Sequence, residues 1–259
     1  MATAKNETDS DNMNTRSGSF LLAALLGAAT VFGLSGCATG PTANPRDPLE
    51  PLNRAVFRFN DTADRVVLKP VATGYKQAVP SVVRRGVSNF FDNLKDAWSS
   101  VNSVLQLKGE AAGNNFFRFV VNTTIGLGGV LDVATEMGIE RQTEDFGQTL
   151  GHWGVGPGPY IVLPLLGPST LRDTLAIPLD AYGNFIPSIQ DTGIRDVVTG
   201  LQLIDRRARL LSATNMLDQV ALDPYLFGRD VFLQVRRNAV YDGDPPEEPV
   251  EDAGAELRK

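Results

Sequence analysis

The sequence predicts an all-α fold, in a single domain of broken amphipathic helices. Apolar residues recur at alternating spacings of three and four, which is the period of a helix that is apolar on one side. No run alternates apolar and polar residues for long enough to predict a sheet, and no internal repeat is present. The chain contains 25 glycines and 16 prolines, some of them in its middle, which indicates interrupted helices and many turns.

Residues 1–36 are predicted to be a signal peptide. The stretch Ser17–Gly36 is apolar, follows Arg16 and ends in small residues, as signal peptides do. The sequence LSGC at Leu34–Cys37 resembles the lipobox of bacterial lipoproteins, in which the cysteine thiol is acylated and the chain is cut before it. We therefore expect Cys37 to be the lipid anchor; an uncleaved membrane anchor is the alternative.

The residues on either side of this segment refine the prediction. Met13 begins a more conventional signal peptide than Met1 does, so our hypothesis is that translation starts at Met13 and not at Met1. Ala38 favours the outer membrane, because an aspartate at this position retains lipoproteins at the inner membrane. Residues 37–51 include four prolines and predict a semi-extended tether between lipid and domain, although a disordered leader is equally compatible.

Residues 52–241 are predicted to form the helical domain. A first helix is expected over Leu52–Lys69, ending near Pro70. Ser81 is a candidate N-cap for a second helix that ends near Gly109. The apolar stripe of this second helix consists of Val83, Val87, Phe90, Leu94, Trp98, Val101 and Leu105.

Residues 110–138 predict a helix, a glycine turn and a further helix. The stretch Phe116–Leu131 is nearly all apolar but is broken by glycines, so it is too short to span a bilayer as one helix. It is either a wall seated in the membrane or a hairpin buried in the protein. Periodicity does not distinguish a lipid environment from a protein core.

The second half of the domain is predicted to alternate loops and helices. Residues 151–168 contain five glycines and four prolines and predict an ordered apolar loop. Residues 170–189 predict short helices, and Thr192–Val220 predicts a long amphipathic helix. Asp223 is expected to cap a last helix that extends from Pro224 to about Tyr241.

The net charge of −6 arises mostly at the ends of the chain. Residues 1–36 contain two basic and three acidic side chains, and residues 242–259 contain two basic and seven acidic ones. The part between them is balanced, which disfavours a nucleic acid as partner. The acidic tail, residues 242–259, has no apolar pattern and is predicted to be disordered.

The sequence lacks the residues from which common catalytic and metal sites are built. One histidine and one cysteine do not supply a zinc site, and no GxSxG motif occurs. We interpret His152 and the loop Gly154–Gly158 as structural, since the prolines of that loop remove amide donors that a phosphate loop needs. Glu144-Asp145 and Arg172-Asp173 are interpreted as caps and ion pairs. We predict no enzyme, no metal and no cofactor apart from acyl chains on Cys37.

Five segments of the chain resemble the MlaA family, also called VacJ, and the match extends over residues 47–241. The segments are NRAVFRFNDTADRVVLKPVA (53–72), GVSNFFDNLKDAWSSVNSVLQ (86–106), FRFVVNTTIGLGGVLDVA (117–134), EDFGQTLGHWGVGPGPYIVLPLLGPSTLRD (144–173) and DPYLFGRD (223–230). The resemblance implies a helical, ring-like lipoprotein with a central amphipathic channel, lying on the periplasmic face of the outer membrane. It implies removal of mislocalised phospholipid from the outer leaflet. The implied partners are phospholipid, a trimeric porin and a periplasmic carrier of the MlaC type.

The resemblance also suggests which residues act. Cys37 takes the role of the anchor. The predicted lipid path consists of Phe57, Phe59 and Asn60, which match a segment that bears on channel opening, and of Phe116, Phe119, Gly126, Gly128 and Gly129 in and around the channel hairpin. Two alternatives remain open: a structural lipoprotein that associates with porins without moving lipid, and an enzyme that modifies lipid.

Overall fold

A computed structural model describes residues 47–247 of the chain. Within this range the protein consists of helices and one two-stranded sheet, so the predicted all-α class is confirmed. The α-helices are α1 (Glu50–Ala63), α2 (Lys69–Ala78), α3 (Ser81–Leu105), α4 (Gly109–Thr124), α5 (Val133–Glu136), α6 (Phe146–His152), α7 (Leu171–Gly183), α8 (Thr192–Val220) and α9 (Pro224–Val240). The signal peptide, Cys37, most of the tether and the end of the acidic tail lie outside the described residues.

The first helix begins earlier and continues further than the sequence predicts. Asp47 is fully buried and α1 begins at Glu50, so the last residues of the predicted tether belong to the domain. The predicted end near Pro70 is wrong, because α1 continues through a π-helical segment, Asp64–Leu68, into α2. The amide of Lys69 bonds to the carbonyl of residue 64, five residues back. Pro70 therefore falls in the first turn of α2, where its missing N–H is not needed.

Helices α3 and α4 form an antiparallel hairpin, and both predicted ends of α3 are wrong. Pro80, with extended backbone, holds the N-cap position, and Ser81 is already helical and makes no cap hydrogen bond. At the other end α3 stops at Leu105, because Leu107 adopts a left-handed conformation with φ 60°. Gly109 begins α4 instead of ending α3. The predicted helix, glycine turn and helix that follow are confirmed as α4, the turn and α5.

The stretch predicted to be a loop contains a β-hairpin. Strand β1 (Tyr160–Leu163) pairs in antiparallel orientation with strand β2 (Gly167–Thr170), so the prediction of no sheet is wrong here. Each strand has only four residues, too few for an alternating pattern to be evident. Asn53 of α1 supports β1, since its Nδ2 donates to the carbonyl of Tyr160 at 3.0 Å and its Oδ1 accepts from the amide of Val162 at 2.9 Å.

The last third of the domain follows the sequence prediction closely. Helix α7 contains Pro178 without ending there, so the predicted short helices are one longer helix and a 3₁₀ turn, Ile186–Ser188. Helix α8 has the predicted bounds. Asp223 caps α9, because its side chain accepts hydrogen bonds from the amides of Tyr225 and Leu226.

The elements contact one another in a closed circuit. Helix α1 packs on β1, β1 pairs with β2, and β2 contacts α7; α7 packs on α6, α6 on α3, α3 on α8, and α8 on α2, which continues from α1. Buried apolar residues cluster around Ala72 and Leu211 and, separately, around Tyr160 and Tyr225. Across residues 47–247, no helix combines the length and the apolar character needed to cross a bilayer.

Candidate functional site: an apolar exterior around a polar interior

Helix α3 exposes four of the seven residues of its predicted apolar stripe, and the other three, Val87, Leu94 and Trp98, are half-buried. Val83, Phe90 and Val101 of the predicted stripe are 53%, 36% and 46% exposed. The buried residues of α3 are Gly86, Phe91, Asn93, Asp96, Ser99, Asn102 and Ser103, most of them polar. An amphipathic helix of a water-soluble protein packs its apolar stripe against the core. Helix α3 has the opposite arrangement.

Helix α4 repeats this inverted arrangement. Phe116 and Phe117 are 54% and 59% exposed, and their rings meet edge to face with centroids 6.0 Å apart. Phe119 is half-buried, whereas Asn115, Arg118 and Asn122 are buried. The α3–α4 hairpin therefore has an apolar outer surface and a polar inner one.

The turn between α4 and α5 extends the apolar outer surface. Ile125, Leu127 and Leu131 are 63%, 72% and 49% exposed. Of the two interpretations of the 116–131 hairpin, a buried core hairpin is wrong, because these side chains and both neighbouring phenylalanines face outward. Their number and their size are typical of an interaction or membrane surface.

The three glycines of this turn satisfy steric requirements. A Cβ on Gly126 would overlap the carbonyl oxygens of Asn122 and Leu131. Gly129 has φ +92°, and a Cβ there would lie 2.6 Å from Nδ2 of Asn93. Gly128 has φ +72° but faces open space. These glycines allow the turn to close tightly on α3; their place in a lipid path remains a prediction.

Arg118 is the centre of the polar interior. It is 1% exposed, and its Nη2 donates to both carboxylate oxygens of Asp132, at 2.7 and 2.9 Å. Its Nε donates to Oδ2 of Asp96 at 3.3 Å, and its Nη1 donates to Thr135 and to a backbone carbonyl. Arg141 binds the other oxygen of Asp96 at 2.8 Å. Each buried charge thus has an opposite partner, which offsets part of the cost of removing it from water.

The two aspartates of this cluster have pKa values that shift in opposite directions. Burial raises the pKa of Asp96, and the nearby Arg141 and Arg118 only partly counteract this effect. The pKa of Asp132 falls to about 2, because burial is outweighed by hydrogen bonds from Thr135 and Asn122 and by the positive charge of Arg118. Asp132 is therefore the firmly ionised partner of Arg118.

The predicted residues on α1 have three different environments. Phe57 is half-buried and packs edge to face on the ring of Tyr225, with centroids 5.6 Å apart. Phe59 is 56% exposed. Asn60 fastens the tip of the β-hairpin, since its Nδ2 donates to the carbonyl of Leu163 at 2.9 Å and its Oδ1 accepts from the amide of Leu165 at 2.8 Å. The structure thus gives Phe57 and Asn60 packing roles, and of the three only Phe59 faces outward.

Three turn tips carry exposed leucines in left-handed backbone conformations. They are Leu107 (φ 60°, 92% exposed), Leu127 (φ 56°, 72% exposed) and Leu165 (φ 61°, 69% exposed). Residues with a Cβ rarely adopt this conformation, and an exposed leucine gains nothing from it in water. Covering such a side chain with hydrocarbon is favourable by about 1.5–3 kcal/mol. Sequence reasoning did not single out Leu107 or Leu165.

The loop Gly154–Gly158 forms one wall of an open cleft of about 860 Å³, which we call the glycine-loop cleft. The opposite wall is the face of α9 between Arg229 and Tyr241. The interpretation of the neighbouring acids is confirmed. Asp145 caps α6 and pairs with Arg236 at 2.6 Å, and Arg172 pairs with Asp173 at 2.9 Å.

Sequence reasoning missed the charged residues of the interior. In the sequence, Arg118 is a charged residue inside the mostly apolar stretch 116–131, and we predicted no role for it. A charge within such a segment is a signal in itself, because it needs a partner wherever the segment is buried. The partners Asp96 and Asp132 lie 22 and 14 residues away, so only the folded chain identifies them.

The sequence model of the MlaA lipoprotein family matches residues 45–239. The chain belongs to the MlaA lipoprotein family. It is 36% identical over 225 residues to the intermembrane phospholipid transport system lipoprotein MlaA of Escherichia coli (strain K12), covering 83% of this chain and 88% of that protein. It is 36% identical over 233 residues to the MlaA protein of the same name from Haemophilus influenzae, covering 86% and 91%.

Comparison with solved structures supports the same family membership. A solved structure described as the structural basis for maintenance of bacterial outer membrane lipid asymmetry matches with a TM-score of 0.63 and 34% identity. The match covers 75% of this chain and 98% of that one. An uncharacterized protein of Rickettsia bellii is 35% identical over 195 residues, or 75% of this chain and 76% of that protein. The predicted membership of the MlaA family is therefore confirmed.

Proposed function

We propose that this protein is an outer-membrane lipoprotein that removes mislocalised phospholipid from the outer leaflet and passes it to a periplasmic carrier. It does so without making or breaking covalent bonds. The observation that carries the proposal is the inverted polarity of the α3–α4 hairpin, with phenylalanines outside and Arg118 inside. The MlaA relatives named for intermembrane phospholipid transport support the same function.

Inverted polarity suits the physical problem of moving a phospholipid. A lipid that leaves a bilayer must keep its acyl chains away from water and its head group solvated, so its path needs an apolar side and a polar side. The closed circuit of elements supports the predicted ring, and the polar interior supports an amphipathic channel within it. In that interior, the buried side-chain oxygens of Asn93 and Gln106 accept no hydrogen bond from the described residues.

Seating in the membrane follows from two independent features. The first is the outward apolar surface, in which each turn-tip leucine adds about 1.5–3 kcal/mol when hydrocarbon covers it. The second is Cys37, which lies outside the described residues and which we expect to carry acyl chains. Each buried methylene of such a chain contributes about 0.8 kcal/mol, and two or more chains anchor a protein stably.

The anchor is tested by Cys37→Ser. We expect the variant to fold normally, because the anchor lies outside the domain, but to leave the outer-membrane fraction when cells are fractionated. Incorporation of labelled palmitate into wild type and not into the variant is the accompanying control. A variant that stays wholly at the outer membrane would show that the domain seats itself and that the cysteine is dispensable.

The function is tested in cells by measuring phospholipid in the outer leaflet. Deletion of the gene is expected to raise it, and the wild-type gene to restore it. The double variant Phe116→Asn, Phe117→Asn is expected to reach the wild-type protein level, because both positions are exposed in the fold. It is not expected to restore the wild-type amount of phospholipid in the outer leaflet, because it makes the hairpin exterior polar. Leu222→Asn, at a fully exposed loop position outside the hairpin, is the matched control and should restore the wild-type amount of phospholipid in the outer leaflet.

The same experiment distinguishes the alternatives. If deletion weakens the envelope but leaves the leaflet composition unchanged, the protein is a structural lipoprotein and the transport proposal is wrong. Release of lysophospholipid from liposomes by the purified protein would indicate an enzyme instead. Co-purification from detergent extracts tests the two proposed protein partners, the trimeric porin and the carrier of the MlaC type.

A further inference from the structure

Lys95 of α3 lies on the inner side of the closed circuit of elements. Asp92, three residues before it, pairs with Arg209 of α8 at 2.9 Å. Trp98, three residues after it, donates from Nε1 to Oδ1 of Asp180 in α7 at 2.8 Å. Residues three apart lie on the same face of a helix, so Lys95 is on the face of α3 that is directed towards α8 and α7. This face points away from the apolar outer surface.

Lys95 has no partner of opposite charge to itself. Within residues 47–247 it makes no hydrogen bond and no ion pair. Its side chain is open to solvent, yet the protein around it lowers its pKa by displacing bulk water. Asp92 counteracts this shift, whereas the positive charges of Arg206, Arg209 and Arg141 lower the pKa further. A side chain that solvent reaches but hydrates poorly lies in a confined space lined by protein.

Positive charge is in excess around Lys95. Arg206, on α8, is exposed and also makes no ion pair within the part of the chain that the structure describes. The carboxylate of Asp92 is shared between Arg209 at 2.9 Å and Arg141 at 3.6 Å. Lys95 and Arg206 are therefore two neighbouring cations that repel each other and that no described carboxylate neutralises. An anion between them would relieve this repulsion.

Apolar side chains flank Arg206 on α8. Leu203 and Leu210, three residues before it and four residues after it, are 46% and 47% exposed. Positions at these spacings share one face of a helix, so both leucines lie beside the guanidinium. An inorganic anion gains nothing from such neighbours, whereas an anion that carries hydrocarbon covers them favourably. The surroundings of the two cations thus fit an amphipathic anion.

We propose that Lys95 and Arg206 bind the phosphate diester of a phospholipid, whose acyl chains lie beside Leu203 and Leu210. A phosphate diester carries one negative charge on two free oxygens. One oxygen accepts a hydrogen bond from Nζ of Lys95, and the other accepts from the guanidinium of Arg206. This inference rests on the proposed function and deepens it, because it names the group of the lipid that the interior binds.

Binding is tested with the mature full-length protein in a non-ionic detergent, by native mass spectrometry. The probe is dioctanoylphosphatidylglycerol, a phosphate diester with two short acyl chains. Lys95→Gln and Arg206→Gln should each raise its Kd about tenfold, because each removes one charge-assisted hydrogen bond. Lys95→Glu should abolish binding, since its carboxylate repels the phosphate. Dioctanoylglycerol, which lacks the phosphate, should bind wild type and the variants equally.

The position of the site is tested by the reactivity of Lys95. Its amine is acetylated with an N-hydroxysuccinimide ester, and the rate is followed by peptide mass spectrometry. Dioctanoylphosphatidylglycerol should slow this reaction severalfold, because a bound phosphate covers the amine and favours its protonated form. Dioctanoylglycerol should leave the rate unchanged.

Two controls separate binding from folding and from general attraction by charge. Arg85→Gln removes an exposed cation of α3 that lies ten residues before Lys95, about 15 Å along the helix, and should keep the wild-type Kd. Lys95→Gln and Arg206→Gln break no ion pair and relieve repulsion, so both should melt at the wild-type temperature or above it.

Three results would overturn the inference. An unchanged Kd in Lys95→Gln would show that the phosphate binds elsewhere, and an equal loss in Arg85→Gln would show attraction by net charge alone. Inorganic phosphate that protects Lys95 at the same concentration as the lipid would assign the two cations to the free ion. A failure of the proposed function is distinguishable from these results, because it appears as unchanged outer-leaflet phospholipid after gene deletion.

Discussion

Replacing Arg118 with methionine is the sharpest test of the polar interior. The substitution keeps a long side chain but removes the charge and all donors. Asp132 then loses two hydrogen bonds of 2.7 and 2.9 Å, and Asp96, itself 1% exposed, keeps only Arg141. We expect Arg118→Met to destabilise the fold strongly. The same substitution at an exposed arginine has little effect on stability in most proteins.

The magnitude follows from the burial of the partners. Removing one partner of a buried ion pair leaves an uncompensated charge and costs about 3–5 kcal/mol. For a domain of this size, each kcal/mol shifts the melting temperature by about 2–4 °C, so Tm should fall by roughly 10 °C. The double variant Arg118→Met, Asp132→Asn should recover part of the loss, because it removes one of the two stranded charges.

Thermal unfolding of the mature protein in detergent, followed by circular dichroism, measures these changes. Arg65→Met is the matched control, since Arg65 in the π-helical segment after α1 pairs with Asp61 at 3.0 Å and its side chain is 62% exposed. Such a pair contributes about 0.5 kcal/mol or less. If Arg118→Met melted within a degree of Arg65→Met, the polar interior would not hold the hairpin together and the reasoning would be refuted.

Three further predictions test the turn, the exterior and the acid response. Gly129→Ala should lower Tm more than Gly128→Ala, because both need positive φ but only the former meets Asn93; equal losses would contradict this. Phe117→Asn should leave Tm nearly unchanged yet weaken flotation with liposomes, and undiminished flotation would count against lipid contact. The lowered pKa of Asp132, about 2 against an ordinary 3.8, stabilises the fold by about 2 kcal/mol above pH ~4, and this is lost as the pH falls towards 2. In unfolding titrations, Asp132→Asn should lack that component.

Much of the secondary structure could be predicted because its causes are local. The bounds of α8 follow from spacing alone, and Asp223 before Pro224 marks the start of α9. The glycine turn after α4 is likewise local, since no residue with a Cβ fits at Gly126. The failures have non-local causes. A π-helical segment carries the chain past Pro70, and Asn53 and Asn60, about a hundred residues away in sequence, hold the β-hairpin.

The residues of the candidate site likewise include some that the sequence predicted and others that it could not predict. Sequence pattern identified the hairpin 116–131 and its glycines, and the MlaA resemblance added residues on α1, of which Phe57 and Asn60 have packing roles in the structure. Neither the partners of Arg118 nor the glycine-loop cleft could be predicted, because both depend on which helix faces lie together. The turn after α9 is held by an ion pair between Asp242 and Lys108, which lies 134 residues earlier in the sequence.

By itself, the sequence determined that this protein is helical, where most helices lie and which side of each is apolar. Only the tertiary structure decided that the apolar sides of α3 and α4 face outward and that Arg118, Asp96 and Asp132 lie inside. The physical reason is that a helical period defines a stripe but not the medium that the stripe contacts. That medium is set by the neighbouring helices, whose polar groups pair with one another inside and leave the apolar side chains on the outer surface.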